Sequence, residues 1–182
     1  MNKPRTLHLI ACAALCMLCM AAHADEATLS EQEIQAALLD KFIQLVDWPE
    51  DGPLPQNVYI VSVLEDKEMY ALLQQTYEGH TIHDRNVVFR FCQSIGEVQP
   101  SHVVLFSRQM SADPERSLER LAAFPSLTIG YGEKFVEQNG AIAFTRAGDH
   151  VRFEVNLEAA ERVGVRVSYH LARYASVVHG NR

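Results

Sequence analysis

The sequence predicts an α/β fold: a single-domain sandwich with helices on both faces of a mixed, mostly parallel sheet that ends in a C-terminal antiparallel hairpin. Three observations carry this. Short apolar runs (Val58 to Leu64, His102 to Phe106, Leu127 to Ile129) alternate with segments of helical periodicity, the order that builds parallel strands joined by crossover helices. Two later runs, Ala141 to Arg146 and His150 to Asn156, flank Ala147-Gly148-Asp149, which is a hairpin signal. No repeat, low-complexity tract or linker divides the 182 residues, a length that supports a full hydrophobic core.

In chain order, the first segment reads as an address. Lys3 and Arg5 form a positive head, Leu7 to Ala22 is apolar except for His8, and Ala22-His23-Ala24 places small residues where a signal peptidase needs them. Residues 1–24 are therefore expected to be a signal peptide cleaved after Ala24, with one domain over 25–182. The apolar run is shorter than the roughly 20 residues that span a bilayer, so no insertion is expected after cleavage. Leu9-Ile10-Ala11-Cys12 looks like a lipoprotein box but lies too early in the apolar segment. Cleavage removes Cys12, Cys16 and Cys19 and leaves Cys92, so no intramolecular disulfide is expected; Cys92 is either free and buried or intermolecular.

The net charge of −7 excludes the clustered basic surface that nucleic-acid binding requires, and it opposes adhesion to anionic lipid. Losing Lys3 and Arg5 with the leader makes the domain more acidic still.

Ser30 and Glu33 form a capping box for an amphipathic helix with Ile34, Leu38, Phe42 and Leu45 on one stripe, stopping near Trp48-Pro49. After strand Val58 to Leu64, a helix runs from about Asp66 to Tyr77, and a turn over Thr81 to Asn86 leads into strand Val87 to Phe91. Asp113-Pro114 starts a helix carrying Leu118, Leu121 and Ala122, and another begins near Glu133. Asn156 caps a helix ending at Gly164, and Ser168 caps a last one carrying Leu171, Tyr174, Ala175 and Val178.

Few residue patterns suggest chemistry. His80-x-x-His83-Asp84 has metal-ligand types, but sits in a turn and lacks a fourth ligand. Gly130-Tyr131-Gly132 follows a strand as a phosphate loop would, yet Phe135 takes the place of the third glycine and Glu133 would repel phosphate. Arg152 and Glu154 share one face of a strand, which suits either a partner contact or an internal ion pair. There is no G-x-S-x-G elbow, H-E-x-x-H or P-loop, so no enzyme, catalytic residue, metal or cofactor is expected.

Three segments resemble the YfiR-like family of small periplasmic proteins. They are Gln35 to Pro49, a helix closing on Trp-Pro; Leu127 to Gly130 with Phe135 to Ile142; and Val151 to Ala160 followed by Ser168 and its helix. The resemblance implies a periplasmic α/β repressor that holds an inner-membrane diguanylate cyclase inactive through its periplasmic domain, with an outer-membrane lipoprotein able to sequester it and a tendency to homodimerise. Family members often carry cysteine pairs; here Ser101 stands at a position commonly cysteine, and Lys41 where asparagine is common. Partner contacts are expected from Phe42, Trp48, Arg152, Glu154 and Asn156. The alternatives are a periplasmic small-molecule sensory module reporting to another membrane protein, and an exported hydrolase.

Overall fold

The computed structural model describes residues 29–180; the expected signal peptide and its three cysteines lie outside them. The helices are α1 (Glu31–Gln44), α2 (Lys67–Thr76), α3 (Arg108–Ser111), α4 (Glu115–Leu121), α5 (Glu133–Glu137), α6 (Leu157–Arg162) and α7 (Tyr169–Ala172). The strands are β1 (Val46–Asp47), β2 (Val58–Leu64), β3 (Thr81–Ile82), β4 (Arg85–Cys92), β5 (Val103–Phe106), β6 (Leu127–Tyr131), β7 (Ile142–Ala147), β8 (His150–Asn156), β9 (Arg166–Val167) and β10 (Val177–His179).

Eight strands form one sheet in the order β10-β8-β7-β6-β5-β2-β4-β3, and β1 pairs with β9 in a separate two-stranded ribbon. The run β4-β2-β5-β6-β7 is parallel throughout, while β8 is antiparallel to β7. Strand order reverses between β2 and β5, as in doubly wound sheets. The central strands are buried on both faces, which is why they read as unbroken apolar runs. On one face α1 and α2 pack through Leu39, Phe42, Ile43, Met69 and Leu73; on the other, Leu121 of α4 and Phe135 and Val136 of α5 meet Val104, Phe106 and Ala143.

The Ser30–Glu33 capping box is present at the start of α1. Of the expected stripe Phe42 is buried; Ala36, Leu39 and Ile43 face the core with it, and Leu38 and Leu45 lie on its margin.

Other features also depart from the sequence expectation. Thr81–Ile82 folds back on β4 through His83 and Asp84, both at positive φ (48° and 60°), making a two-residue hairpin where only a turn was expected. A four-residue helix, α3, precedes α4. The Ser168-capped helix stops at Ala172, because the Ser176 N–H and hydroxyl both donate to the Phe153 carbonyl and the chain then adds β10 parallel to β8. Tyr174 and Val178 therefore share no helix stripe.

Among the described residues, no helix is long and apolar enough to cross a membrane.

Candidate functional site

The most polar of the larger clefts is built around Trp48. Helix α1 ends at Gln44, and β1 then pairs with β9, setting Val46 opposite Val167 and Asp47 opposite Arg166. This ribbon carries Trp48 to the amino-terminal ends of β2 and β5. Its indole N–H donates to the His102 carbonyl at 2.9 Å, and its ring packs edge-on to His102 (5.3 Å) and tilted against Tyr59 (5.8 Å). A cleft of about 450 Å³ opens beside it. Arg85, Arg166 and His83 line this cleft together with Asp47 and Glu50. The Arg85 guanidinium lies 5.4 Å from the Tyr59 ring, and His83 Nδ1 is 3.4 Å from the Tyr59 hydroxyl. Mixed charge over aromatic faces suits binding of a partner or small molecule.

His102 holds this corner together and is not placed for acid–base work. It is 2% exposed, its Nδ1 accepts the Ile60 N–H at 3.1 Å, and the ring also bonds the Pro55 backbone. Proline has no N–H, so that second bond is an imidazole N–H donated to a carbonyl. Burial, helped by the charge of Arg85, pushes the His102 pKa down to about 4 against the opposing Pro55 bond. The unfolded chain therefore takes up a proton near pH 6.5 that the folded one refuses until about pH 4. This contribution to stability is complete above pH 6.5 and is lost as pH falls towards 4. Urea unfolding of the wild type should weaken across that window by up to roughly 3 kcal/mol. A His102→Gln variant, weaker at neutral pH, should decline less steeply; parallel pH profiles would remove His102 from the account.

The structure separates the other residues singled out in the sequence. Phe42 is fully buried against Phe153 and Phe144, and only floors a shallow apolar groove between α1 and α7 that Leu38, Leu45 and Tyr174 also line. Arg152 is exposed on β8, opposite Thr145. Glu154 is 5% exposed and is paired at 2.8 Å with His179 of β10, not with Arg152 as the ion-pair alternative has it. Asn156 caps α6 by accepting the Ala159 N–H, and its amide donates to the Val136 carbonyl. A signal for His179 was available in the β-branched run Val177-Val178 before it.

His80 and His83 diverge: His80 Nε2 lies 3.2 Å from Asp40, while His83 turns to Tyr59. No group of three or more metal-ligating side chains converges among the described residues. Gly130 is explained by packing, since a Cβ there would stand 2.5 Å from the Phe135 ring. Cys92 is buried, and burial raises its thiol pKa.

The crevice at the carboxyl ends of the strands, where doubly wound sheets hold ligands, is crossed by α1. Glu31 pairs with Arg108 and, at 3.2 Å, with Arg146; Arg108 covers the Tyr131 ring at 4.4 Å. The Tyr131 hydroxyl donates to Gln35 Oε1 at 3.4 Å, and burial pushes its pKa up to about 12.

The strand order and its reversal between β2 and β5 define a doubly wound α/β domain. Residues 32–176 match the domain family described as YfiR/HmsC-like (DUF4154), and the chain belongs to that family. It is a periplasmic, regulatory family. No curated protein matches the chain. Two of the solved structures that match illustrate the shared fold. One is a conserved domain protein from Vibrio cholerae O1 biovar El Tor strain N16961, with TM-score 0.58 and 13% identity over 84% of this chain and 61% of that one. The other is an ABC domain from Streptococcus pneumonia in complex with L-Trp, with TM-score 0.55 and 10% identity over 79% and 60%. The chain thus spans 61% and 60% of the lengths of these two structures.

Proposed function

We propose that the chain is a periplasmic regulator that binds and represses an inner-membrane diguanylate cyclase through the cyclase's periplasmic domain, lowering cyclic di-GMP. The family match over residues 32–176 is the observation that carries this reading. A repressor acts by binding one conformation of its target better than another, and near-complete switching takes about 5 kcal/mol of such bias. That calls for a broad interface. The surfaces we assign to it are the Trp48 cleft and the groove between α1 and α7, where Tyr174 is 75% exposed, together with exposed Arg152 on β8. Sequestration by an outer-membrane lipoprotein and assembly as a homodimer belong to the same proposal.

Deleting the gene should raise cyclic di-GMP several-fold where the cyclase is present, and the wild-type gene should restore it. Tyr174→Ala combined with Arg152→Glu alters exposed side chains, so it should fail to restore repression while unfolding at the wild-type urea midpoint. An unchanged cyclic di-GMP level on deletion would sink the reading.

The 450 Å³ cleft favours a second reading, a small-molecule sensory module reporting to another membrane protein. A thermal-shift screen of periplasmic metabolites separates the two, because repression by itself needs no ligand.

A further inference from the structure

A second cavity, on the opposite face of the sheet from α1 and α2, lies where the C-terminal ends of α4, α5 and α6 converge over the start of β6. Its volume is about 190 Å³, many times the ~15 Å³ that holds one water molecule. Its floor is apolar, formed by Leu118, Leu121 and Ala159. Three side chains give it acceptors. Gln138, the residue after α5, carries a side-chain oxygen that is buried and has no donor within reach. Glu115 and Glu119 line the same cavity from α4.

Among the remaining polar groups, the Asn139 side chain lines the rim, and two hydroxyls are committed elsewhere. The Ser126 hydroxyl donates to the Ser101 carbonyl at 2.6 Å, and Thr128 Oγ1 accepts the Ala141 N–H at 3.0 Å. Arg162 is the one cation in the lining, and its guanidinium is placed 3.9 Å from Glu158. A buried acceptor without a donor costs about 1–3 kcal/mol, so the cavity favours an occupant that donates. Carboxylates at the mouth favour positive charge, and the aliphatic floor favours a short hydrocarbon chain.

We propose that this cavity binds a small aliphatic ammonium ion, with its N–H groups on Gln138 Oε1 and Glu119 and its methylenes on Leu121 and Ala159. The site stands apart from the Trp48 cleft and does not depend on the repressor reading.

The test uses the purified chain and n-butylammonium chloride as probe, with 1-butanol and sodium butyrate as size-matched controls. In a ¹H–¹⁵N titration, butylammonium should give saturable shifts at the Gln138 side-chain amide and at the backbone amides of Ala122, Asn139 and Val163. Butanol should bind at least tenfold more weakly, and butyrate should give no saturable shift. Glu119→Gln should weaken butylammonium binding about fivefold. Gln138→Met, which removes the stranded acceptor at similar volume, should abolish binding without lowering the unfolding midpoint. Absence of saturation with butylammonium, or equal binding of butanol, overturns the proposal and leaves the cavity to water. Cyclic di-GMP measured in cells carrying Gln138→Met reads the repressor function separately, so either reading can fail alone.

Discussion

Phe42→Ala is expected to destabilise the fold by about 3–5 kcal/mol, enough to unfold a large fraction of a marginally stable domain. The ring is fully buried, with its centroid 5.0 Å from Phe153 and 5.7 Å from Phe144. It fastens α1 to the two strands of the C-terminal hairpin, elements more than 100 residues away in the chain. Its neighbours are held in paired strands of the sheet and cannot collapse into the space left, so the loss of transfer energy adds to the cost of a cavity. Phe42→Leu should cost much less. Urea unfolding followed by circular dichroism gives both values. A loss below 1 kcal/mol for the alanine variant would mean that α1 is peripheral to the core.

Gly140→Ala is expected to cost about 3 kcal/mol for adding a single methyl group. The Phe135 ring is held between Gly130 and Gly140. A Cβ at Gly140 would lie 2.2 Å from that ring and 2.7 Å from the Phe135 carbonyl oxygen, which the Gly140 N–H already bonds at 2.8 Å. A ring can turn away from a methyl group, but the carbonyl closing α5 cannot. At Gly130 the atoms in conflict are the ring alone, at 2.5 Å. The two sites should therefore respond differently to a smaller residue at position 135. Phe135→Leu should recover part of the loss caused by Gly130→Ala and little of that caused by Gly140→Ala, read as coupling energies in double-mutant cycles. Equal rescue at both sites would show that the backbone contact does not matter.

Residues that declare themselves locally were legible. The Ser30–Glu33 box, the Asn156 and Ser168 caps, the unbroken run of β2 and the Gly148 hairpin each depend on a few adjacent positions, and each stands where the sequence implies. The ribbon of β1 and β9 was not legible, because two-residue strands carry no alternation. The hairpin at His83-Asp84 hides because neither positive-φ residue is a glycine. The last helix was overextended since Leu171, Tyr174, Ala175 and Val178 keep helical spacing, while the bond from Ser176 to Phe153 that ends it is made across the fold.

The functional residues follow the same division. Trp48 stands out in the sequence by its type, yet its hydrogen bond reaches a carbonyl 54 residues away. Glu154 was singled out too, and its partner lies 25 residues further on in a strand the sequence disguises. The Gln138 cavity has no sequence signature, because it is enclosed by the ends of three separate helices.

The short strand β10 ties two processes into one. It joins β8 through three residue pairs, from Val177 opposite Glu154 to His179 opposite Asn156, and His179 covers the Glu154 carboxylate. When those three residues lift, an edge of the sheet opens and the buried Glu154 side chain meets water in the same motion. The backbone pairs and the side-chain contact therefore support one another at this margin of the sheet.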